Sequence, residues 1–350
     1  MESPPFMRIR DIQDGQQVEG LFLVKEMSRG ETKAGKPYLS LTLMDTSGEL
    51  SAKVWENADR FAPECPAGAV VEVRGLAQAY KGVLQLRVDG LARLAEEQVD
   101  MSRFVPSAPG DVQAMAKELL QLAASIKDPH LRALLDSFFS DQALLEAMRR
   151  APAAKAMHHA YLGGLLEHTL AVARLADRVC GLYPELDRSL LLAGAMLHDI
   201  GKLKEFDFTS FPFDYTDQGR LLGHMTLGVA MIQKRLAALP GFPPELAARL
   251  CHLILSHHGR HEYGSPVLPM MSEAFVLHFL DDLDAKVNYL SRLAGQARAE
   301  GYQWSEYQRN LERFLYLRGN GEESVAMPEE PGCGVGTAAE GARQRSLFGE

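Results

Sequence analysis

Two spacings of apolar residues divide this chain. Between Gln16 and Leu94 apolar and polar residues alternate in short runs, and from Asp111 onward apolar residues recur every three or four positions. Alternation is the period of a strand with one buried face; the longer spacing is that of a helix with one buried stripe. The first pattern predicts strands over residues 17–27, 38–44, 49–55, 69–79 and 83–94. In 38–44, Leu39, Leu41 and Leu43 share one face, and Tyr38, Ser40, Thr42 and Met44 share the other. Gly35-Lys36-Pro37, Asp45-Thr46-Ser47-Gly48 and Tyr80-Lys81-Gly82 mark turns, and residues 57–61 a helical turn. With Leu50, Ala52 and Val54 facing inward, Ser51, Lys53 and Trp55 point outward beside Tyr38, Ser40 and Thr42.

The second pattern predicts a helix capped by Asp111, with Val112, Met115, Leu119, Leu120 and Ala123 on one face. Further helices are expected over 129–139, 141–148, 163–180, 187–197, 225–236, 244–256, 272–294 and 305–317. The domains then read as a β domain over 15–97, a Pro-bearing linker over 98–110, and an all-α domain over 111–317. A tail over 318–350, rich in Gly, Glu and Ala, cannot bury enough apolar surface to offset ordering entropy, so disorder is expected there.

Composition narrows the class. The 350 residues are 46% hydrophobic and 24% charged, enough to bury a core, and the net charge of −9 argues against an indiscriminate nucleic-acid coat. Cys65, Cys180, Cys251 and Cys333 form no C-x-x-C pair, so a disulfide framework is not expected and a reducing cytoplasm is the simpler setting. The N-terminus has no signal-peptide pattern, and no apolar run is long enough to span a membrane, so no membrane partner is expected.

Five short strands with a helical turn between the third and fourth suggest a small closed barrel. The pattern resembles the oligonucleotide/oligosaccharide-binding (OB) fold, whose second and third strands present a nucleic-acid face. Tyr38, Trp55 and Tyr80 are then candidates to stack bases, and Lys53, Lys81 and Arg87 to meet phosphates. The competing reading has Trp55 capping the barrel core and the lysines merely solvated. Residues 15–93 hold 10 Lys/Arg and 10 Asp/Glu, so net charge does not favour nucleic acid.

Chemistry concentrates in the helical part. All 11 histidines lie there, between His130 and His278. His198 and Asp199 are adjacent at the end of a long apolar run, in L-H-D-I-G-K, and both side chains are good ligands for a divalent cation. His168 lies in G-G-L-L-E-H-T, His224 follows Gly223, and His257 and His258 precede Gly259. Asp281 lies in the apolar run F-V-L-H-F-L-D-D-L-D-A-K, where a carboxylate is costly unless paired or bound to a cation. Asp282 and Asp284 are its rivals; spacing to L-D-A-K favours Asp281, leaving Asp284 as a neighbouring carboxylate that is either structural or supports a ligand. His158, His159 and His261 are weaker candidates, and His130, His252 and His278 read as packing or solvent residues.

The order H…HD…H…HH…D on successive helices is similar to the HD-domain phosphohydrolase superfamily, over about 160–286. With the barrel before it, the chain resembles the YhaM-type 3′→5′ exoribonuclease family. That resemblance implies one divalent metal held by His168, His198, Asp199 and Asp281. It implies a second served by His224, His257 and His258, with Asp199 bridging the two. Mixed nitrogen and oxygen ligands suit Mn²⁺, Fe²⁺, Zn²⁺ or Co²⁺, and the resemblance favours Mn²⁺. Asp199 and Lys202 are the expected catalytic residues; Lys202, one turn after Asp199, either faces the phosphate or is only a helix-terminal charge.

The expected activity is metal-dependent 3′→5′ exonuclease action on single-stranded RNA, with DNA a further substrate and a homo-oligomer the implied assembly. The alternative is an HD-type nucleotide or cyclic-nucleotide phosphohydrolase with a regulatory OB-fold. Gln344-Arg345-Ser346-Leu347-Phe348 resembles the short bacterial sliding-clamp-binding peptide, with Arg345 departing from its usual apolar second position.

Overall fold

In a computed structural model, the structure describes residues 7–80, 82–95, 99, 103–105, 107–108, 110–154, 159, 161–208, 212–296 and 300–320. The chain divides into two compact units, Met1–Tyr289 and Leu290–Glu350. Lys81, His158 and the clamp-like peptide at 344–348 lie outside the described residues, as does the tail from residue 321.

The first unit begins with strands β1 (Gln17–Glu31), β2 (Pro37–Asp45), β3 (Gly48–Val54), β4 (Val70–Tyr80) and β5 (Val83–Arg93), closed in the order β1-β2-β3-β5-β4. Closure leaves no strand edge open, and it depends on β1 being long. The first half of β1 pairs with β4, and from Leu23 onward β1 pairs with β2, across an irregularity between Val24 and Glu26. The predicted alternation places Leu39, Leu41, Leu43, Ala52 and Val54 in the barrel core, and Phe22, Val73 and Leu86 join them there, all essentially solvent-free. The β2–β3 turn is set by Asp45, whose Oδ1 accepts from Ser47 N and Gly48 N. Helix α1 (Ala58–Phe61) supplies the expected helical turn between β3 and β4.

Helices α2 (Val112–Ala124), α3 (Pro129–Phe139), α4 (Gln142–Arg150), α5 (Gly164–Leu182) and α6 (Arg188–Leu197) follow. Asp111, Asp128, Asp141 and Asp187 cap four of them, each carboxylate accepting from backbone N–H groups of the first turn. From Leu190 to Leu197 every residue of α6 is buried, because a helix apolar on all sides can only sit in the middle of a core. Next come α7 (Lys202–Glu205), a two-residue strand pair β6 (Phe206–Asp207) and β7 (Asp214–Tyr215), α8 (Asp217–Leu236), α9 (Pro244–Ser256) and α10 (Ser272–Gln296). The helix expected from Met225 starts earlier, at Asp217, and is interrupted at Gly223, whose φ of 69° and ψ of 157° are non-helical. His224 thus opens a helical segment, as the spacing predicts.

The segment expected to be only a linker is partly a core element. Phe104 and Val105 are buried with barrel residues Leu23, Met44 and Val70 and with Phe213 of the helical domain, and Leu162 and Phe208 pack beside them. Ala108 N donates to Leu162 O at 2.9 Å. Met44, placed by alternation on the outer face of β2, is buried here because the helical domain covers that end of the barrel.

Two expectations for the C-terminal region need correction. Residues 305–317 do not form a helix: strands β8 (Glu300–Trp304) and β9 (Tyr316–Asn320) pair as an antiparallel hairpin, with Trp304 opposite Tyr316 and Tyr302 opposite Arg318. Cross-strand aromatic contacts override the helical spacing, with the Tyr302 and Tyr316 rings stacked 5.2 Å apart and the Trp304 and Tyr316 rings 5.0 Å apart. The all-α reading of 111–317 therefore ends at Gln296 and is interrupted by the β6–β7 pair, and 318–320, assigned to the tail, belong to β9.

Candidate metal centre and nucleic-acid face

On the barrel, the outward residues of β2 and β3 meet as alternation predicts. Ser40 lies opposite Lys53, and Lys53 lies opposite Arg87 on β5. Lys53 Nζ donates to Ser40 Oγ at 2.6 Å and stands 5.5 Å from the Tyr38 ring centroid. Tyr38 and Trp55 pack with ring centroids 4.9 Å apart and planes tilted by 31°. Trp55 is 45% exposed, so it does not cap the core. Arg87 is exposed beside Asp89, at 3.4 Å. Tyr80 is exposed at the β4–β5 turn.

In the helical domain the expected ligands converge at the end of α6. His198 and Asp199 follow its last residue and are buried with it. His168 comes from α5, Asp281 from α10, His224 from α8, and His257 and His258 follow α9. His168 Nε2 lies 3.1 Å from both His198 Nε2 and Asp281 Oδ1. Asp199 Oδ2 lies 3.5 Å from His168 Nε2 and 3.4 Å from His198 Nε2. Its other oxygen, Oδ1, lies 3.5 Å from His224 Nε2 and 3.7 Å from His257 Nε2. The rings of His258 and His257 are 4.4 Å apart, centre to centre. Ligand atoms of His168, His198 and Asp281 lie close enough for one ion, and so do those of His224, His257 and His258.

Glycine permits this convergence. A Cβ on Gly201 would sit 1.9 Å from His224 O and 2.6 Å from Gly228 N, so only glycine lets the turn after Asp199 touch α8.

Second partners orient the rings. Nδ1 of His198 donates to Ala195 O, Nδ1 of His257 to Ile254 O, and Nδ1 of His258 to Tyr263 O, at 2.9, 2.7 and 2.7 Å. A carbonyl can only accept, so these three rings keep their proton on Nδ1 when neutral and present an Nε2 lone pair. His224 Nδ1 faces Glu205 Oε1 at 3.2 Å, and His168 Nδ1 faces Asp284 Oδ2 at 2.7 Å. Lys202 is buried, and its Nζ donates to Asp199 Oδ2 at 2.6 Å.

The donor set fits a divalent cation. Asp199 Oδ1, His224 Nε2 and His257 Nε2 are buried and have no hydrogen-bond partner. Three such atoms turned toward one point would be costly without a ligand. Burial would raise the Asp199 carboxyl, but Lys202 and His198 hold it well below the usual carboxylate range. Burial likewise opposes ionisation of Asp281, and the hydrogen bond from His168 overcomes it. Burial, with His258 and His198 adding, pushes His257 well below its ordinary range and keeps it a neutral donor. For His168, burial favours the neutral ring, yet Asp281 and Asp284 raise it to about 9. The pocket around His168 therefore attracts positive charge, which a proton or a metal ion supplies.

Sequence reasoning did not single out Glu205, Glu167 or Tyr161, and it ranked His159 low. Glu205, three residues beyond Lys202, carries no spacing signal of its own. His159 is buried at 3% exposure, whereas His261 is exposed and bonds Ser265 O at 3.0 Å. His252 accepts from Met270 N, His278 donates to His257 O, and His130 packs on Phe242, as the packing reading expects.

Residues 165–286 match the HD domain family, and residues 18–94 match the OB-fold nucleic acid binding domain family. The chain thus has the architecture of an HD-type, metal-dependent phosphohydrolase with a nucleic-acid-binding barrel, an arrangement consistent with YhaM-type proteins. Similar solved structures include the second OB-fold domain of replication protein A from Methanococcus maripaludis. It is 20% identical, with a TM-score of 0.23, covering 27% of this chain and 100% of that one. A mitochondrial single-stranded DNA binding protein from S. cerevisiae, Rim1, is 16% identical, with a TM-score of 0.22, covering 23% of this chain and 96% of that one. At such scores the barrel assignment rests on its own strand order. No helix among the described residues is long and apolar enough to cross a membrane.

Proposed function

We propose that this protein is a 3′→5′ exonuclease that hydrolyses phosphodiester bonds of single-stranded RNA, and of DNA as a second substrate, as in the YhaM-type family. The observation that carries this reading is a single piece of chain with two surfaces. An aromatic and basic barrel face is fixed, through the Phe104–Val105–Phe213 core, to a helical domain holding the histidine and aspartate cluster.

In this reading His168, His198, Asp199 and Asp281 hold one divalent ion, and Asp199, His224, His257 and His258 hold a second, with Mn²⁺ favoured. Such ions, when bound, activate water and polarise the phosphodiester. The two oxygens of Asp199, turned toward different histidines, suit a bridging carboxylate. Asp284 and Glu205 keep the Nε2 atoms of His168 and His224 directed inward. Lys202 holds Asp199 ionised and oriented, and shares its positive charge with a phosphate brought to the centre. On the barrel, Tyr38 and Trp55 stack unpaired bases while Lys53 and Arg87 meet the backbone.

The test is a 5′-labelled single-stranded RNA incubated with the full chain and Mn²⁺. A ladder shortening from the 3′ end is expected. Hydrolysis of mononucleotides with the RNA left intact would replace this reading with the nucleotide-phosphohydrolase one. Self-association and clamp docking through 344–348 extend the proposal. Light scattering reads the first, and a pull-down of the parent against Leu347→Ala/Phe348→Ala reads the second.

A further inference from the structure

Behind Asp284 lies a part-buried polar chain, His159, Glu167, Tyr161 and Asn288, that none of the roles above uses. His159 sits between two carboxylates: its Nδ1 is 2.9 Å from Glu167 Oε2 and its Nε2 is 2.9 Å from Asp284 Oδ2. The same Asp284 oxygen lies 2.7 Å from His168 Nδ1. Tyr161 donates its hydroxyl hydrogen to Glu167, and Asn288 Nδ2 donates to Tyr161 Oη at 3.1 Å.

The backbone is committed to this arrangement as well. His159 N donates to Asn288 Oδ1 at 3.0 Å, and His159 O accepts from Ala153 N at 3.0 Å. A Cβ on Gly164 would fall 2.0 Å from His159 O, so the first turn of α5 closes directly on this loop. His159 has a φ of 46°, a left-handed conformation that a side chain with a Cβ adopts at a cost of order 1 kcal/mol. A strained backbone whose buried ring meets two carboxylates is the kind of outlier from which a functional role is inferred.

We propose that His159 is a positioning residue for the metal centre. It fixes Asp284, and Asp284 fixes the His168 ring with its proton on Nδ1 and its Nε2 toward Asp281 and His198. Glu167, Tyr161 and Asn288 hold His159 in turn. Without His159, Asp284 is free to rotate, and His168 can turn the wrong nitrogen to the ion. Partners of this kind typically change metal affinity by about 10- to 100-fold.

The proposal rests on the metal-centre reading above, and the experiment separates the two. Metal-free full-length protein is titrated with Mn²⁺ by calorimetry, for the parent, His159→Ala, His159→Gln and Glu167→Gln. If the parent binds no Mn²⁺, the metal-centre reading itself fails. If the parent binds, His159→Ala should weaken the tighter site by about 10- to 100-fold. Its rate should recover when Mn²⁺ is raised to saturation, which a merely structural lesion would not allow. His159→Gln, whose amide still donates to Asp284, should recover part of the affinity. Glu167→Gln, which keeps the side-chain shape, should lose affinity in the same direction but less, and it serves if His159→Ala does not fold. Parent-like Mn²⁺ affinity in folded His159→Ala or Glu167→Gln would overturn the proposal. So would loss of one whole equivalent of bound Mn²⁺ with the remaining affinity unchanged, because His159, His168 and Asp284 would then be a cation site of their own.

Discussion

In the proposed mechanism, Asp199 concentrates the chemistry in one side chain. Its neighbours on both oxygens are histidine nitrogens, and the lysine that holds it is buried with it. Removing the carboxylate as Asp199→Ala would leave Lys202 uncompensated and both ligand groups short of an oxygen. Lewis-acid activation is worth several kcal/mol, so the hydrolytic rate should fall by roughly 100-fold or more. A folded variant, checked by circular dichroism, that keeps the parental rate would remove Asp199 from the site. His168 gives a pH prediction. Its folded-state value, about 9, lies above the ordinary 6.5, so the stability it contributes is complete below about pH 6.5 and is lost as pH rises through about 9. Urea unfolding in the presence of a chelator should show metal-free stability dropping by up to about 3 kcal/mol across that window. Flat stability from pH 6.5 to 9.5 would contradict it. The residues that converge here were legible in the sequence, because histidines and an aspartate inside apolar helices advertise themselves. Glu205 and Glu167 were not, since a carboxylate near a helix end looks the same whether it orients a ring or faces water, and Tyr161 was not, since a lone tyrosine before a helix carries no spacing signal.

The same division holds for the elements. Strands β2 and β3 could be read almost residue by residue, Met44 apart, because alternation decides both their existence and their inward faces. Helices α5, α6 and α9 were legible from spacing. The C-terminal hairpin was missed because Ser305–Leu317 carries helical spacing, while the aromatic pairing that wins joins Trp304 and Tyr302 to Tyr316, far along the chain. The contact of the turn after Asp199 with α8 was also invisible, since Gly201 in the sequence looks only like a helix breaker. It now carries a prediction. Gly201→Ala must push the His224 segment away, an overpacking typically worth about 1–3 kcal/mol, and should lower Mn²⁺ affinity along with thermal stability. Alanine tolerated with parental melting and parental Mn²⁺ binding would refute the close approach. On the barrel, stacking is worth about 1–3 kcal/mol per base, so Trp55→Ala should weaken binding of single-stranded RNA by about 5- to 100-fold. Fluorescence anisotropy with a labelled oligonucleotide measures this; unchanged binding would leave Tyr38 and Trp55 as ordinary surface aromatics.

For the molecule as a whole, the informative feature is the core shared by barrel and helical domain. A Pro-rich stretch between two domains reads as a tether, and nothing in its composition announces that Phe104 and Val105 are buried against Leu23, Met44 and Phe213. Phe104→Ala should cost about 3–5 kcal/mol and loosen the barrel from the metal centre while leaving the ligand cluster in place. The signature is selective: hydrolysis of a small chromogenic diester persists while degradation of long RNA slows. Because Phe208 and Phe213 flank the stretch just beyond Glu205, the barrel also braces the chain that orients His224. If the barrel face grips the strand and the histidine cluster cuts it, as proposed, the fixed spacing between the two makes the protein a ruler. A strand too short to reach from one to the other slips away uncut, so digestion should halt at a fragment of one narrow size. In Phe104→Ala the ruler is slack, and the final fragments on a sequencing gel should spread over several lengths.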